Sequence, residues 1–263
     1  MARTGDMGIR HKRILDILSK ESAASVTGLS DTLGVAKETI RKDLRVLAEQ
    51  GKVIRIHGGA ALSDMPFNMP FTVRQNLDEI QKRQVAERAS QLIYENESII
   101  IEGSTTNLAL CEALMDTPEK LKSLTIITNS VKIAQMLEFG SKCRQLFLLG
   151  GQADAQEGTT RGQFALSMMR EMHADAAFIS AAAMNQQLRV TAFKEDDMLF
   201  QRQAISIAGK AYVLMNSSKF PSSALYYVCQ CQDLDGLVTD AELSDQECRV
   251  LLDAGTEYIR VKQ

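Results

Sequence analysis

The first residues along the chain with evident binding chemistry are cationic and share one face of a predicted helix. From Val35 the sequence reads VAKETIRKDLRVLAE, in which Ile40, Leu44 and Leu47 recur at the spacing of one apolar helical stripe. The opposite face carries one acidic and three cationic residues: Glu38, Arg41, Lys42 and Arg45. Such a face suits a nucleic acid, whose phosphates attract the cations and whose base edges form hydrogen bonds with them. For a helix in isolation, a solvated charged face is the ordinary alternative.

The segments before this helix favour the nucleic-acid interpretation. Val26, Leu29 and Leu33 predict a short preceding helix, and Gly34 supplies the tight turn of a helix-turn-helix. A still earlier helix is indicated by three apolar residues that would pack beneath both: Ile14, Ile17 and Leu18. Three helices and a tight turn in this order predict a helix-turn-helix.

A small hairpin is predicted directly after the cationic helix. Gly51 ends the helix, and the β-branched run 53–56 is followed by His57 and two glycines, which is typical of a short basic wing. In a winged helix-turn-helix the last helix enters the major groove and the wing rests on the backbone. We therefore expect DNA contacts from seven residues: Lys37, Thr39, Arg41, Lys42, Arg45, Arg55 and His57.

The remainder of the chain alternates short apolar runs with helical stretches. This pattern predicts an α/β domain with a mostly parallel sheet, in which ligands bind at the carboxyl ends of the strands. Seven strands are predicted, at 98–101, 124–128, 145–149, 176–180, 211–215, 236–239 and 257–261. The fold class is therefore α/β, with a winged helix-turn-helix at residues 1–61, a linker at 62–76 that contains Pro66 and Pro70, and an effector domain at 77–263.

Polar or glycine-rich turns follow several of these strands. After the first strand, Gly103 would let the backbone approach a ligand, and three hydroxyl side chains would flank unpaired N–H groups at a helix N-terminus, which suits phosphate. Helix capping by serine or threonine is the alternative, and this turn alone does not decide between them. Similar turns after later strands favour a pocket for a small, hydroxyl-rich anion. The candidate effector residues are Glu102, Gly103, Ser104, Thr105, Thr106, Thr128, Asn129, Gly150, Gly151, Glu195 and Lys219.

Composition limits the remaining classes of function. Residues 1–61 hold 11 basic and 7 acidic residues, whereas the other 202 hold 19 and 26, so a basic head precedes an acidic body despite a net charge of −3. Five scattered cysteines and three histidines favour reduced structural thiols and offer little for a metal site or a catalytic triad. We expect no cofactor, no metal ion and no catalytic residue. Without a signal peptide or an apolar run of about 20 residues, we expect a cytoplasmic protein with no membrane partner.

Residues 10–60 resemble the DNA-binding domain of the DeoR family of bacterial transcriptional regulators, which are mostly repressors of sugar catabolism. The family signature is roughly V-S-x-x-T-I-R-R-D-L, then L-x-x-x-G and R-x-H-G-G-A, and the segment from Val35 to Ala60 follows it closely. Ala36 replaces the usual serine, so the helix loses a side-chain N-cap at a cost of about 0.5–2 kcal/mol. Lys42 replaces the second arginine, which keeps the charge but gives up bidentate geometry.

The C-terminal part resembles the effector domain of the same family, which is similar in fold to ribose-5-phosphate isomerase. The family's loops match at 103–106, 128–129, 150–151 and 217–220. Glu102 and Asn216 stand where relatives have aspartate, and the turn after the fourth strand is alanine-rich instead of glycine- and aspartate-containing. The family has an Asn-Glu pair where this chain has Lys194 and Glu195, so this chain carries an additional cation there. We therefore do not assign to it the sugar that any relative binds.

The resemblance implies a transcriptional repressor of a carbohydrate operon whose DNA affinity responds to a phosphorylated sugar. One small DNA-binding domain buries too little surface for specificity, so we expect a homodimer or homotetramer on double-stranded operator DNA. An isomerase-like enzyme with a fused DNA-binding domain is the alternative. Glu195 would then be its base, although the supporting acidic turn is missing and an acidic first helical turn explains Glu195 more simply. A third possibility is an activator, or a regulator whose ligand is not phosphorylated.

Overall fold

The computed structural model of the protein describes residues 3–21, 23–50, 52–56, 58–62 and 71–261. The chain divides into two compact units, Met1–Leu77 and Asp78–Gln263. No helix in the described part of the chain is long and apolar enough to cross a membrane.

The N-terminal unit is a winged helix-turn-helix. Its elements are α1 (Arg3–Glu21), β1 (Ala23–Ser25), α2 (Val26–Leu33), α3 (Lys37–Glu49), β2 (Val53–Ile56), β3 (Gly59–Leu62) and α4 (Phe71–Asn76). The three predicted helices and the hairpin are confirmed. The structure adds β1, which pairs antiparallel with β3 to give the strand order β1-β3-β2. Three residues are too few to show a strand pattern in the sequence.

Local hydrogen bonds cap both ends of α2 and so fix the turn that leads to α3. Ser25 caps α2, since its Oγ accepts a 2.9 Å hydrogen bond from the N–H of Gly28. Gly34 ends α2 in the left-handed region at φ 67°, and its N–H bonds to the carbonyl of Ser30. At the start of α3, Ala36 provides no side-chain cap, as the sequence predicts. The three helices and the hairpin then pack around one cluster of buried residues: Ile14, Leu18, Val26, Leu29, Ile40, Leu44, Leu47, Val53 and Ala60.

The segment predicted as a linker, 62–76, is partly regular. Leu62 belongs to β3, and the last six residues form α4, in which the guanidinium of Arg74 lies 5.7 Å from the centre of the Phe71 ring. Residues 63–70, which include Pro66 and Pro70, lie outside the described residues. A six-residue helix is too short to display an apolar period in the sequence, and the assignment of 62–76 as a linker stays a prediction.

The second unit is built on a seven-stranded sheet. Its strands are β4 (Ser98–Ile101), β5 (Thr125–Thr128), β6 (Gln145–Leu148), β9 (Ala174–Ser180), β12 (Ala208–Met215), β14 (Gly236–Thr239) and β15 (Glu257–Arg260). The helices are α5 (Glu79–Ser90), α6 (Thr105–Met115), α7 (Pro118–Ser123), α8 (Val131–Met136), α9 (Gln163–Arg170), α10 (Glu195–Ile207) and α11 (Asp245–Ala254). All seven predicted strands are present, and every pair in this sheet is parallel.

The order of the strands locates a topological switch point. Across the sheet they run β15-β14-β12-β9-β4-β5-β6, so the chain moves outward from β4 through β5 and β6. It then returns to β9 on the other side of β4 and continues outward through β12. The β4–β9 pair, registered with Ile101 beside Phe178, is thus where the connections reverse direction. In open parallel sheets the crevice beyond the carboxyl ends of such a pair is the usual ligand site.

Five shorter strands were not predicted. Gln152–Asp154 (β7) and Thr159–Arg161 (β8) form an antiparallel hairpin. A second small sheet has the order β10-β11-β13, formed by Ala183–Met184, Val190–Ala192 and Tyr226–Cys229. Four of them have only two or three residues, which is too short for their alternation to be visible in the sequence. The five cysteines are free thiols, and burial raises the pKa of Cys229 to about 12.

Candidate functional site

The exposed face of α3 carries the cations predicted to bind DNA. Lys37, Arg41, Lys42 and Arg45 are all exposed, and Thr39 is half-buried. Because Ile40, Leu44 and Leu47 are at most 1% exposed, the helix is divided into a core face and a charged solvent face. Arg55 on β2 is also exposed, whereas His57 lies outside the described residues. This surface offers several positive charges to a polyanion without breaking any packing contact.

A buried carboxylate fixes the other side of α3. Asp43 is 3% exposed, and Arg10 and His11 of α1 both contact it. The Nη2 of Arg10 donates to Oδ1 of Asp43 at 3.0 Å, and Nε2 of His11 lies 3.1 Å from the same oxygen. These contacts hold α3 to α1. In the sequence, an aspartate on an apolar helical face is a signal for such a pair.

At the start of α6, the structure supports both interpretations of the hydroxyl-rich turn. Ser104 is the N-cap, because its Oγ accepts a 3.1 Å hydrogen bond from the N–H of Asn107. Thr105 and Thr106 are buried in the first turn, and within the described part of the chain their N–H groups have no acceptor. Two N–H groups at the N-terminus of an eleven-residue helix remain available to an anion.

Gly103 has a structural role different from the predicted one. A Cβ at this position would lie 2.4 Å from Cγ2 of Thr159 and 3.1 Å from Oδ1 of Asn129. The N–H of Gly103 donates to that same Oδ1 at 2.8 Å, and Nδ2 of Asn129 donates to the carbonyl of Thr160. A side chain at Gly103 would therefore clash with β8, and the approach of a ligand to this backbone stays a prediction. Asn129 is used to join the turn after β4 to β8.

Three more candidate residues also serve the chain itself. Thr128 is fully buried, and its Oγ1 accepts a hydrogen bond from the N–H of Ser130. The N–H of Gly150 donates to Sδ of Met168 at 3.2 Å. Gly151 has φ 140°, and a Cβ there would lie 2.4 Å from the carbonyl oxygen of Arg161. The space beside the backbone of Gly151 is thus occupied by Arg161 of the β7–β8 hairpin.

Glu102 lies at the switch point and is 6% exposed. Its Oε2 accepts hydrogen bonds from the N–H of Ser180 at 2.7 Å and from the Ser180 hydroxyl at 3.0 Å. Its Oε1 accepts a 2.6 Å hydrogen bond from Nε2 of Gln201 on α10. Burial away from water raises the pKa of Glu102 to about 7; these hydrogen bonds oppose the rise, and the negative charge of Asp197 adds to it.

Two residues that bond to Glu102 have a buried amide oxygen with no partner among the described residues. Nε2 of Gln201 donates to Glu102 and to the carbonyl of Ser180, while its Oε1 has no partner among the described residues. Asn107 is similar, since its Nδ2 donates to the carbonyls of Glu102 and Phe178 and its Oδ1 is unsatisfied. Buried acceptors of this kind are suited to a water molecule or to a hydroxyl donor.

The turn after β12 is held by two aspartates. Asn216 and Ser218 both donate to Oδ2 of Asp78, at 2.7 Å and 2.8 Å. Ser217 donates its N–H and its hydroxyl to the two carboxylate oxygens of Asp240, at 2.6 Å and 3.0 Å. Lys219 ends a short 3-10 helix in this turn and is partly exposed.

An ion-pair cluster joins the β7–β8 hairpin to the start of α10. Arg161 lies 3.0 Å from Asp154, and Lys194 lies 3.1 Å from Glu157 and 3.5 Å from Asp154. Glu195 begins α10 and is exposed in an acidic first turn. The cation gained at Lys194 is therefore engaged with carboxylates of the chain.

Three residues of this edge are not among those that the sequence predicts: Ser180, Gln201 and Asp240. Asp240 directly follows a predicted strand, so the rule that found the other turns would also have found it. Ser180 ends a predicted strand in the same way. Gln201 carries no such signal, because its role depends on how α10 crosses the ends of β4 and β9. Among the described residues, no group of three or more acidic, histidine or cysteine side chains is placed to hold a metal ion.

A winged helix-turn-helix with an exposed cationic helix, joined to an α/β domain with a polar strand edge, defines a ligand-responsive transcriptional regulator. Residues 10–65 match the family model of the DeoR-like helix-turn-helix domain, and residues 78–241 match that of the DeoR C terminal sensor domain. The chain belongs to the DeoR family of transcriptional regulators. It binds DNA with its N-terminal domain, and its sensor domain implies a small-molecule effector.

Its relatives are similar along nearly their whole lengths. The uncharacterized HTH-type transcriptional regulator FruR of Bacillus subtilis (strain 168) is 30% identical over 89% of this chain and 91% of its own. A putative aga operon transcriptional repressor of Escherichia coli O157:H7 is 28% identical, and the match covers 96% of this chain and 93% of the relative's length. The glycerol-3-phosphate regulon repressor of Escherichia coli (strain K12) is 25% identical, and the match covers 93% of this chain and 95% of the relative's length. These proteins are transcriptional regulators. The chain is likewise a regulator, and not an isomerase-like enzyme with a fused DNA-binding domain.

Ribose 5-phosphate isomerase A from Neisseria gonorrhoeae is similar to about half of the chain. It is 21% identical, has a TM-score of 0.36 and covers 52% of each chain. The fold of the sensor domain is defined by its own parallel sheet and strand order.

Proposed function

We propose that the chain is a sequence-specific repressor of a carbohydrate-utilisation operon and that a phosphorylated sugar or related metabolite modulates its affinity for DNA. The observation that carries the proposal is the division of α3, which exposes Arg41, Lys42 and Arg45 while its apolar side completes the core. In this assignment residues 1–61 are the DNA-binding domain, residues 62–76 connect, and residues 77–263 sense the effector.

Helix α3 is the recognition helix in this proposal. Residues near its N-terminus, Lys37, Thr39 and Arg41, reach base edges in the major groove, and Lys42 and Arg45 contact phosphates. Arg55 on the wing, together with His57, contacts the adjacent DNA backbone. A single domain of this size buries too little surface for operator specificity, so a symmetric homodimer or homotetramer binds a palindromic or repeated site. As a regulator of bacterial transcription, the protein acts in the cytoplasm.

The effector site of the proposal is the carboxyl edge of the sheet around the switch point. The available N–H groups of Thr105 and Thr106 at the positive end of α6 suit a phosphate. The unsatisfied Oε1 of Gln201 suits a hydroxyl donor on the same molecule. One relative is named for a regulon of a phosphorylated polyol, glycerol-3-phosphate, which supports this class of ligand.

A thermal-shift panel tests the effector assignment. Full-length protein is heated with sugar phosphates, with the matching unphosphorylated sugars and with inorganic phosphate. We expect one phosphorylated compound to raise the melting temperature and to change the affinity for a duplex selected by the protein itself. Stabilisation by a free sugar alone would overturn the phosphate assignment. Duplex binding that no compound alters would overturn the sensor assignment.

A further inference from the structure

Glu38 is an acidic residue at the N-terminal end of the exposed, largely cationic face of α3. It lies on the exposed face of α3, three residues before Arg41 and seven before Arg45. Its carboxylate lies 3.0 Å from Nη1 of Arg41, with 65% of the Glu38 side chain and 53% of the Arg41 side chain exposed. The pair therefore projects from the protein on the face that carries the DNA-binding cations.

A carboxylate at this place works against general DNA affinity. DNA phosphates repel it, and it offsets one of the charges whose counterion release drives non-specific binding. An exposed i,i+3 ion pair stabilises a helix by only a few tenths of a kcal/mol. An acidic residue in the first turn also stabilises the helix dipole, but that contribution is equal for every DNA sequence.

We propose that Glu38 reads a base, by accepting a hydrogen bond from the N4 amino group of a cytosine in the major groove. This inference rests on the proposed assignment of α3 as the recognition helix. Residues of the first turn of a recognition helix reach base edges, and Glu38 is the second residue of α3. A carboxylate accepts hydrogen bonds only, and among the major-groove base edges cytosine offers a donor without an adjacent acceptor on the same base.

The ion pair with Arg41 sets the geometry of this readout. A guanidinium held beside the Glu38 carboxylate keeps further donors for O6 and N7 of a neighbouring guanine. Glu38 and Arg41 together then select a cytosine and a guanine at adjacent positions. Each residue fixes the rotamer of the other, so the preference at both positions depends on the pair.

Selection from a pool of randomised duplexes tests the inference with full-length protein. We expect the wild-type motif to contain an invariant cytosine in each half-site. Glu38→Gln is expected to prefer adenine at that position, because glutamine pairs with the N6 and N7 of adenine. The ratio of affinities for the cytosine and adenine duplexes should change by about tenfold or more. Glu38→Asp keeps the charge in the first turn but shortens the reach, and should lose the cytosine preference.

Glu49→Gln is the matched control. Glu49 is exposed on the same stripe but lies eleven residues later, about 16 Å along the helix, beyond the turns that reach bases. Its substitution should leave every base preference unchanged. A Glu38→Gln protein that still selects the wild-type cytosine would overturn the role of Glu38 and leave the recognition helix in place. A wild-type protein that selects no motif would overturn the recognition-helix assignment itself.

Discussion

Arg10 of α1 donates through Nη2 to Oδ1 of Asp43 on α3 at 3.0 Å, on the side of α3 that faces away from its exposed cations. The partners differ in exposure, with 17% of the Arg10 side chain and 4% of the Asp43 side chain accessible. A buried pair of this kind is sensitive to the loss of either member, because the remaining charge has been taken out of water. It follows that stability and DNA affinity should respond to different substitutions on the same helix.

Asp43→Ala should destabilise the N-terminal domain by about 3 kcal/mol, because it removes the carboxylate that both Arg10 and His11 contact. Chemical denaturation followed by far-UV circular dichroism measures the loss. Asp43→Asn keeps one acceptor oxygen and should be less damaging. Equal stability of the alanine variant and the wild type would contradict the structural role of the pair.

Arg41→Ala should weaken binding to a selected duplex by about tenfold or more without lowering the melting temperature, since the Arg41 side chain is exposed. Lys42→Ala should instead weaken all duplexes similarly and reduce the salt dependence by about one counterion. Fluorescence anisotropy at several salt concentrations measures both effects. Unchanged affinity of the Arg41 variant at moderate salt would show that α3 is not the recognition helix.

The buried carboxyl of Glu102 should make the sensor domain less stable as pH rises. Its pKa is raised from the ordinary value of 4.5 to about 7, so the folded state holds the proton more tightly than the unfolded state. The stabilisation is fully present below pH 4.5 and is lost as pH increases to about 7, with a total of about 3 kcal/mol. Urea denaturation of the wild type at pH 5 and pH 8 measures this loss.

Glu102→Gln is the control for that measurement. The amide replaces one acceptor by a donor, so absolute stability falls, but the difference in pH dependence from wild type isolates the carboxyl group. If the two proteins lose the same stability between pH 5 and pH 8, the pKa of Glu102 is not raised.

Thr105→Pro tests the anion site at α6. Thr105 is the first residue of the helix, where proline is tolerated, and Ser104 already has the extended conformation that a following proline requires. The substitution removes one of the two available N–H groups, and we expect normal DNA affinity with a response to the phosphorylated effector reduced about tenfold. Thr105→Ala, which keeps the N–H, should lose less. A normal effector response in the proline variant would remove α6 from the site.

Lys219→Ala tests the turn after β12 as a second contributor to that site. We expect the duplex affinity of this variant to be unchanged, because the residue belongs to the sensor unit. Its effector titration should shift to higher concentration if the ammonium group contacts the ligand. An unshifted titration would assign Lys219 to the structure of the turn alone.

The sequence was most informative where the apolar runs are long. Seven strands and the helix-turn-helix were predictable because apolar periodicity reports burial directly. For the polar edge of the sheet, the sequence predicted which residues lie there but not what each side chain contacts. Whether Asn129 presents its amide to a ligand or to β8 depends on the path of the β7–β8 hairpin, whose strands are three residues long. The contact between Glu102 and Gln201 depends on the crossing of α10, which no local pattern encodes.

The division of α3 into a core face and a solvent face has an evolutionary consequence. If the exposed side chains of α3 set operator preference, as we propose, a duplicated copy of the gene can change its target site at almost no cost in folding. Substituting the outward positions of α3 with those of another regulator should transfer that regulator's target while keeping the original metabolite response. The same architecture can therefore supply many operons with separate switches.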